Sequence, residues 1–201
     1  MVETPARRLL RREERHAAIL HGAAAAFART GFVATSMEDV ADACGVTKLI
    51  VYRHFESKED LYRAILQRVF DRQGEELTLQ LAEPTRQGIG ARTLLTVARE
   101  DPAAFVLLWR HAPREAQFAA YSSELRELAV GAVRDLMQIA SDDPAFDAWS
   151  AEVVIGWLVE SVLTWLDVGD QARDDELVAW VTDGLIRMRS GWVHAAIPFS
   201  P

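Results

Sequence analysis

The sequence predicts an all-α protein: a three-helix N-terminal domain with a helix-turn-helix, then a larger helical domain, about nine helices in total. Three observations predict this. Apolar residues recur at three- and four-residue spacing, and no alternating run reads as a strand. A helix, a glycine turn and a second helix stand close together between Thr35 and Lys58. Downstream, proline, glycine and Ser/Asp clusters punctuate the helical runs, without any internal repeat.

The chain has 201 residues, half of them hydrophobic, enough for a sizeable core. Residues 1–11, MVETPARRLLR, read as a basic arm, kept out of a helix at its start by Pro5. It is either a solvated terminus or an arm for phosphates or the minor groove. Helix one is expected from Arg12 to Thr30, with Ala18, Ile19, Gly22, Ala23, Ala26 and Phe27 inward. Gly22 costs it some stability. Gly31 closes it and Phe32 folds back. Thr35 or Ser36 caps the next helix, with Glu38 and Asp39 at capping-box spacing. Val40, Ala41 and Cys44 face inward, and Gly45 ends that helix. Thr47 caps the second motif helix, which Val46, Ile50 or Val51, and Phe55 anchor. Ser57 with Asp60 opens a third helix at Lys58, running to about Leu81 on Leu61, Tyr62, Ile65, Leu66 and Val69.

EPTRQGIG, residues 83–90, is a turn-rich connector. A helix follows from Arg92 to Arg99. Asp101-Pro102 then caps a short one to about His111, which Pro113 breaks. A long helix is expected from Arg114 to Ala140, another from Phe146 to Val168 and a last from Asp174 to Ser190. The domains are therefore drawn as 1–11, 12–58 with a connecting helix to about 81, 82–190, and a tail of 191–201 carrying Trp192 and Phe199. The helix AEVVIGWLVESVLTWLDV is apolar almost all round, so it needs cover on two sides.

Net charge is −8, unpromising for a nucleic-acid binder until it is mapped. Residues 1–70 hold 11 Lys and Arg against 9 Asp and Glu; residues 71–201 hold 11 against 21. Basic charge thus concentrates at the helix-turn-helix end, and the acidic remainder favours docking by that end. The outward residues of the second motif helix are Thr47, Lys48, Tyr52, Arg53 and His54, donors and one aromatic with no acid among them. Cys44 is the single cysteine, which excludes an intrachain disulfide and a cysteine metal site and reads as a small core residue. The five histidines show no metal spacing; His16 and His21 read as surface residues. No nucleophile motif or phosphate loop appears, so an enzyme is disfavoured and no cofactor or metal is expected. The N-terminus has no signal-peptide pattern, and Val153–Leu166 is too short to span a bilayer, so a cytoplasmic protein without membrane contact is expected.

Ile19, Ala23, Phe27, Gly31-Phe32, Thr35-Ser36, Val40-Ala41, Gly45-Val46, Tyr52, His54-Phe55, Lys58 and Leu61 match in order and without gaps. On them, residues 12–62 resemble the DNA-binding domain of the TetR family of bacterial transcriptional regulators. The resemblance implies a regulator, most often a repressor, that binds a palindromic operator in double-stranded DNA as a homodimer and is released by a small molecule. It implies Lys48 on a base edge and Leu49 on a thymine methyl. Thr35, Ser36, Thr47, Tyr52, His54 and Lys58 would hold phosphates, with Arg53 in either role. It implies an apolar or aromatic effector in the C-terminal domain, with Phe105, Leu108, Trp109, Phe118, Tyr121, Met137, Trp157, Glu160 and Trp165 as candidate walls. It implies a four-helix dimer interface on the last two helices, with Val154, Gly156, Leu158, Val162, Leu177, Val181, Gly184, Leu185 and Met188 as candidates. The alternative is a DNA-binding regulator with no small ligand, controlled by a protein partner or by abundance.

Overall fold

The computed structural model describes residues 5–194. Among them are nine α-helices and no strand: α1 (Pro5–Ala34), α2 (Met37–Ala43), α3 (Lys48–Tyr52), α4 (Lys58–Ala82), α5 (Ile89–Glu100), α6 (Pro102–Val106), α7 (Ala119–Met137), α8 (Pro144–Val168) and α9 (Asp174–His194). Contacts divide the chain into two units. Unit 1 is Met1–Arg72 with Glu100–Ser123, and unit 2 is Gln73–Arg99 with Glu124–Pro201. The sequence placed one boundary near residue 82; in the fold, residues 100–123 leave the C-terminal part and pack with the N-terminal helices.

In unit 1, α1 starts at Pro5, not at Arg12. Proline suits a first helical turn, where its missing N–H is not needed, so the expected arm is helical from that residue. Ile19, Ala23, Ala26 and Phe27 are completely buried along one stripe. By length and hydropathy Arg12–Ala34 could cross a membrane, but that stripe is the core of unit 1. Gly22 is there for space: a Cβ would lie 2.7 Å from Cys44 Sγ on the neighbouring element. That thiol donates to the Ile19 carbonyl, and burial pushes its pKa up, which fits a packing residue. Gly31, at φ 80°, breaks α1 and turns Phe32 inward. Phe27, Phe32, Tyr62 and Phe118 then form one aromatic cluster, with Tyr62 stacked on Phe118 at 4.3 Å and Phe32 edge-on to it at 4.9 Å. Phe118, with the His21–Asp101 and Tyr121–Gln67 hydrogen bonds, ties residues 100–123 to the N-terminal helices.

Asp101 caps α6 through the Ala104 N–H, with Pro102 at the first position. Pro113 has no N–H for the helix, and the register widens to a π turn over Leu107–His111 before a 3-10 turn. Glu115 is extended, so α7 starts at Ala119 and not at Arg114.

In unit 2, α7 ends at Met137, where Gln138 takes φ 51° without a glycine to announce it. Asp143 caps α8 with Pro144 behind it. Phe146 meets Trp192, Trp157 meets Gly184, and Trp165 meets Asp174 and Trp180, so α8 and α9 run antiparallel. Arg99 on α5 grips Asp174 through two hydrogen bonds, and Trp165 Nε1 donates to the same carboxylate. Gly88 and Gly90 let the start of α5 approach Val178 and Leu158 to within 3 Å of a hypothetical Cβ. Residues 191–194 extend α9, and Trp192 packs on Phe146 and Trp149; Phe199 lies outside the described residues.

Candidate nucleic-acid interface

Ser36 and Asp39 close a complete capping box that starts α2. The Ser36 hydroxyl, then its backbone N–H, hold the Asp39 carboxyl below the usual carboxylate range. Gly45, at φ 63°, turns the chain, and Val46 N–H closes back on the Ala41 carbonyl. The helix that follows is only five residues long. Val51 and Phe55 are buried and fix its inner side, which leaves Thr47, Lys48, Leu49, Tyr52 and Arg53 exposed together. Thr47 is extended, but its hydroxyl makes no capping bond, contrary to the sequence expectation, and so is available to a phosphate oxygen. Leu49 is 63% exposed, a large apolar side chain left in water on an otherwise polar face. Lys48 Nζ lies 3.4 Å from Glu38 Oε2, an exposed pair that a better acceptor easily displaces.

Two expected phosphate ligands are occupied elsewhere. Thr35 is buried, and its hydroxyl donates to the Gly31 carbonyl at 2.7 Å, bridging the break in α1. Lys58 Nζ donates to the Phe32 and Thr35 carbonyls, each at 2.9 Å, and sits 4.3 Å above the Phe32 ring. It holds the end of α1 against the start of α4. Ser36 remains exposed, with its hydroxyl donating to Asp39. His54 is half-buried beside Phe55 and His16. The face therefore has a cationic and apolar centre on α3, flanked by Ser36 at the α2 N-terminus, and it suits a duplex groove.

Comparison with known proteins agrees. Residues 19–65 match the model of bacterial regulatory proteins of the tetR family. The chain is 31% identical over 167 residues to the HTH-type transcriptional activator FasR of Mycolicibacterium smegmatis, covering 79% of this chain and 75% of that protein. The chain belongs to the TetR family of bacterial regulatory proteins. It is a DNA-binding transcriptional regulator, and the TetR proteins it resembles are not enzymes. The crystal structure of a TetR-like regulator from Rhodococcus sp. RHA1 shares its fold, with TM-score 0.70 and 21% identity over 88% of this chain and 96% of that one. So does AibR in complex with isovaleryl coenzyme A and operator DNA, with TM-score 0.63 and 20% identity over 87% and 97%.

The TetR resemblance also nominated pocket and dimer residues, and the fold distributes them differently. Phe105, Leu108 and Phe118 are core of unit 1. Trp109 and Tyr121 are half-buried in the same unit, with the Tyr121 hydroxyl donating to Gln67. Met137, Trp157, Glu160 and Trp165 belong to unit 2, where Glu160 is exposed and Trp165 is bound to Asp174. Glu160 is thus no inward polar anchor: its position falls on the solvent side of α8. Of the dimer candidates, Val154, Leu158, Val162, Leu177 and Val181 are buried within their own protomer. Gly184 makes room for Trp157 of the same chain, while Gly156, Leu185 and Met188 are half-buried. The apolar residues α8 and α9 expose are instead Trp149, Trp157, Val168, Trp180 and Ile186. An almost wholly apolar helix carries no sequence sign of which stripe its own chain takes.

Sequence reasoning also missed Gln73, Glu76 and Thr93 as buried polar residues. Leu66, Val69, Gln73 and Glu76 continue one buried stripe of α4 at three- and four-residue steps, so the helical phase was the available signal. Gln73 Nε2 and Thr93 Oγ in unit 2, and Tyr62 Oη and Trp109 Nε1 in unit 1, are buried without a hydrogen-bond partner.

Proposed function

We propose that this TetR-family protein is a cytoplasmic repressor that binds a palindromic operator as a homodimer and leaves it when a small, largely apolar effector binds. The α3 face carries the reading: Thr47, Lys48, Leu49, Tyr52 and Arg53 are exposed side by side, with Lys48 suited to guanine and Leu49 to a thymine methyl. Self-association is supported by the five large apolar side chains exposed on α8 and α9, which a second copy would cover. An effector is supported by the buried donors Gln73 Nε2 and Thr93 Oγ, whose desolvation a ligand's acceptor oxygen would offset. AibR is in complex with isovaleryl coenzyme A, so a short branched acyl chain is the apolar group to try first.

Selection from random duplexes tests the reading. The expected product is an inverted repeat with half-sites about 34 Å apart, and Lys48→Ala should change the preferred bases in each half. Enrichment of no inverted repeat refutes it. FasR, 31% identical, is an activator, which favours a second reading in which the same binding recruits transcription. A reporter with the selected site placed over or upstream of the promoter separates the two.

A further inference from the structure

We propose that His16, on α1, is a positioning residue for DNA binding: packed against Phe55 and His54 together, it holds the His54 ring for a phosphate of the duplex and, when charged, opposes the charging of that ring. The inference rests on the DNA-binding reading of the α3 face. The His16 ring stacks on Phe55, centroids 4.8 Å apart and planes 28° apart. Phe55 is buried, so this platform is rigid. The His54 ring lies 5.8 Å from His16 and 6.4 Å from Phe55, so the three rings form a triangle. The charges around the pair are mostly positive: Arg12 and Arg15 on α1 and Arg68 on α4, against Asp60 at the start of α4. Burial first, then Arg68 and Arg12, hold His16 below the usual histidine range. Burial first, then His16 itself, then Arg12 and Arg15, do the same for His54.

A phosphate arriving at His54 reverses the balance. It is negative, and it accepts a stronger hydrogen bond from an imidazolium than from an imidazole. Binding therefore takes up a proton at the pair. The bound-state pKa lies above the free-state one. The gain is complete below the free-state value and disappears as pH rises past the bound-state value. Two like charges 5.8 Å apart in water oppose each other about threefold, so a charged His16 lowers the proton affinity of His54 by about half a pH unit.

The test is anisotropy of a labelled random-sequence duplex at fixed low salt, with the full chain, from about pH 5.5 to about pH 8. A random duplex suffices because a phosphate contact does not depend on sequence. Wild-type affinity should fall with rising pH, approaching about tenfold per unit at its steepest. His54→Gln should bind more weakly and lose the slope. His16→Phe keeps the stack but not the titration, and its midpoint should move up by as much as about half a unit, the full value applying where His16 is itself charged. His16→Ala should lose affinity at every pH; should it fail to fold, as circular dichroism would show, His16→Phe carries the test alone. A flat wild-type profile, or an unmoved midpoint in His16→Phe, overturns the inference and leaves the regulator reading standing. A folded wild-type chain that binds no duplex overturns both.

Discussion

Lys58 is where an interior clamp and a phosphate ligand make opposite predictions. Its ammonium donates to the Phe32 carbonyl in the last turn of α1 and to the Thr35 carbonyl just beyond it, and lies over the Phe32 ring. A hydrogen bond from a charged donor contributes about 1.5–3 kcal/mol, and a partly exposed cation–π contact about 0.5–1 kcal/mol. Water can replace part of this at a half-buried site, so Lys58→Met should cost about 2–4 kcal/mol rather than the full sum. For a chain of this length each kcal/mol moves Tm by about 2–4 °C, so a drop of about 5–15 °C is expected. Thermal unfolding at fixed protein concentration measures it. Duplex affinity measured well below the transition, as a function of salt, completes the test. If Lys58 is internal, the slope of log affinity against log salt is unchanged, because the variant removes no phosphate contact. A variant as stable as wild type whose salt slope falls by about one would refute the clamp and return Lys58 to the DNA.

Three further outcomes follow from the packing. Gly22→Ala should destabilise unit 1 by about 1–3 kcal/mol through the clash with Cys44 Sγ, and Cys44→Ala in the same chain should recover part of that in a double-mutant cycle, the tight approach to the Cys44 Cα and Ala43 carbonyl remaining. Ile186→Glu should convert a dimer to a folded monomer by light scattering, whereas Val154→Glu should unfold unit 2, because Ile186 is 51% exposed and Val154 wholly buried. The Arg99 hydrogen bonds, and then that of Trp165, hold Asp174 below the ordinary carboxylate value, so this pairing stabilises the fold fully above that value and is lost as pH falls through the lowered one. Asp174→Asn should therefore cost about 1–2 kcal/mol near neutral pH, discounted for partial exposure, with the difference from wild type vanishing in acid titrations.

The start of α2, the Gly45 turn and the start of α6 were legible because each is a local device. A Ser/Asp box, a positive-φ glycine and the Asp101-Pro102 pair fix the backbone over a few residues and need no distant partner. The ends of α7 were not: Glu115 and Gln138 carry no breaker signal, and tertiary packing chooses their conformations. The same divide runs through the DNA face. That Lys48 and Arg53 point outward follows from helical phase with either Ile50 or Val51 inward, and the fold buries Val51. That Lys58 turns back onto Phe32, and that Thr35 spends its hydroxyl on Gly31, depends on where α1 breaks. By itself the sequence determined an all-helical chain with a helix-turn-helix at its basic end, because periodicity and capping act over single turns. Only the tertiary structure decided that residues 100–123 pack with that end through Phe118, and which stripe of α8 is core, because such choices are made by contacts between residues far apart in the chain.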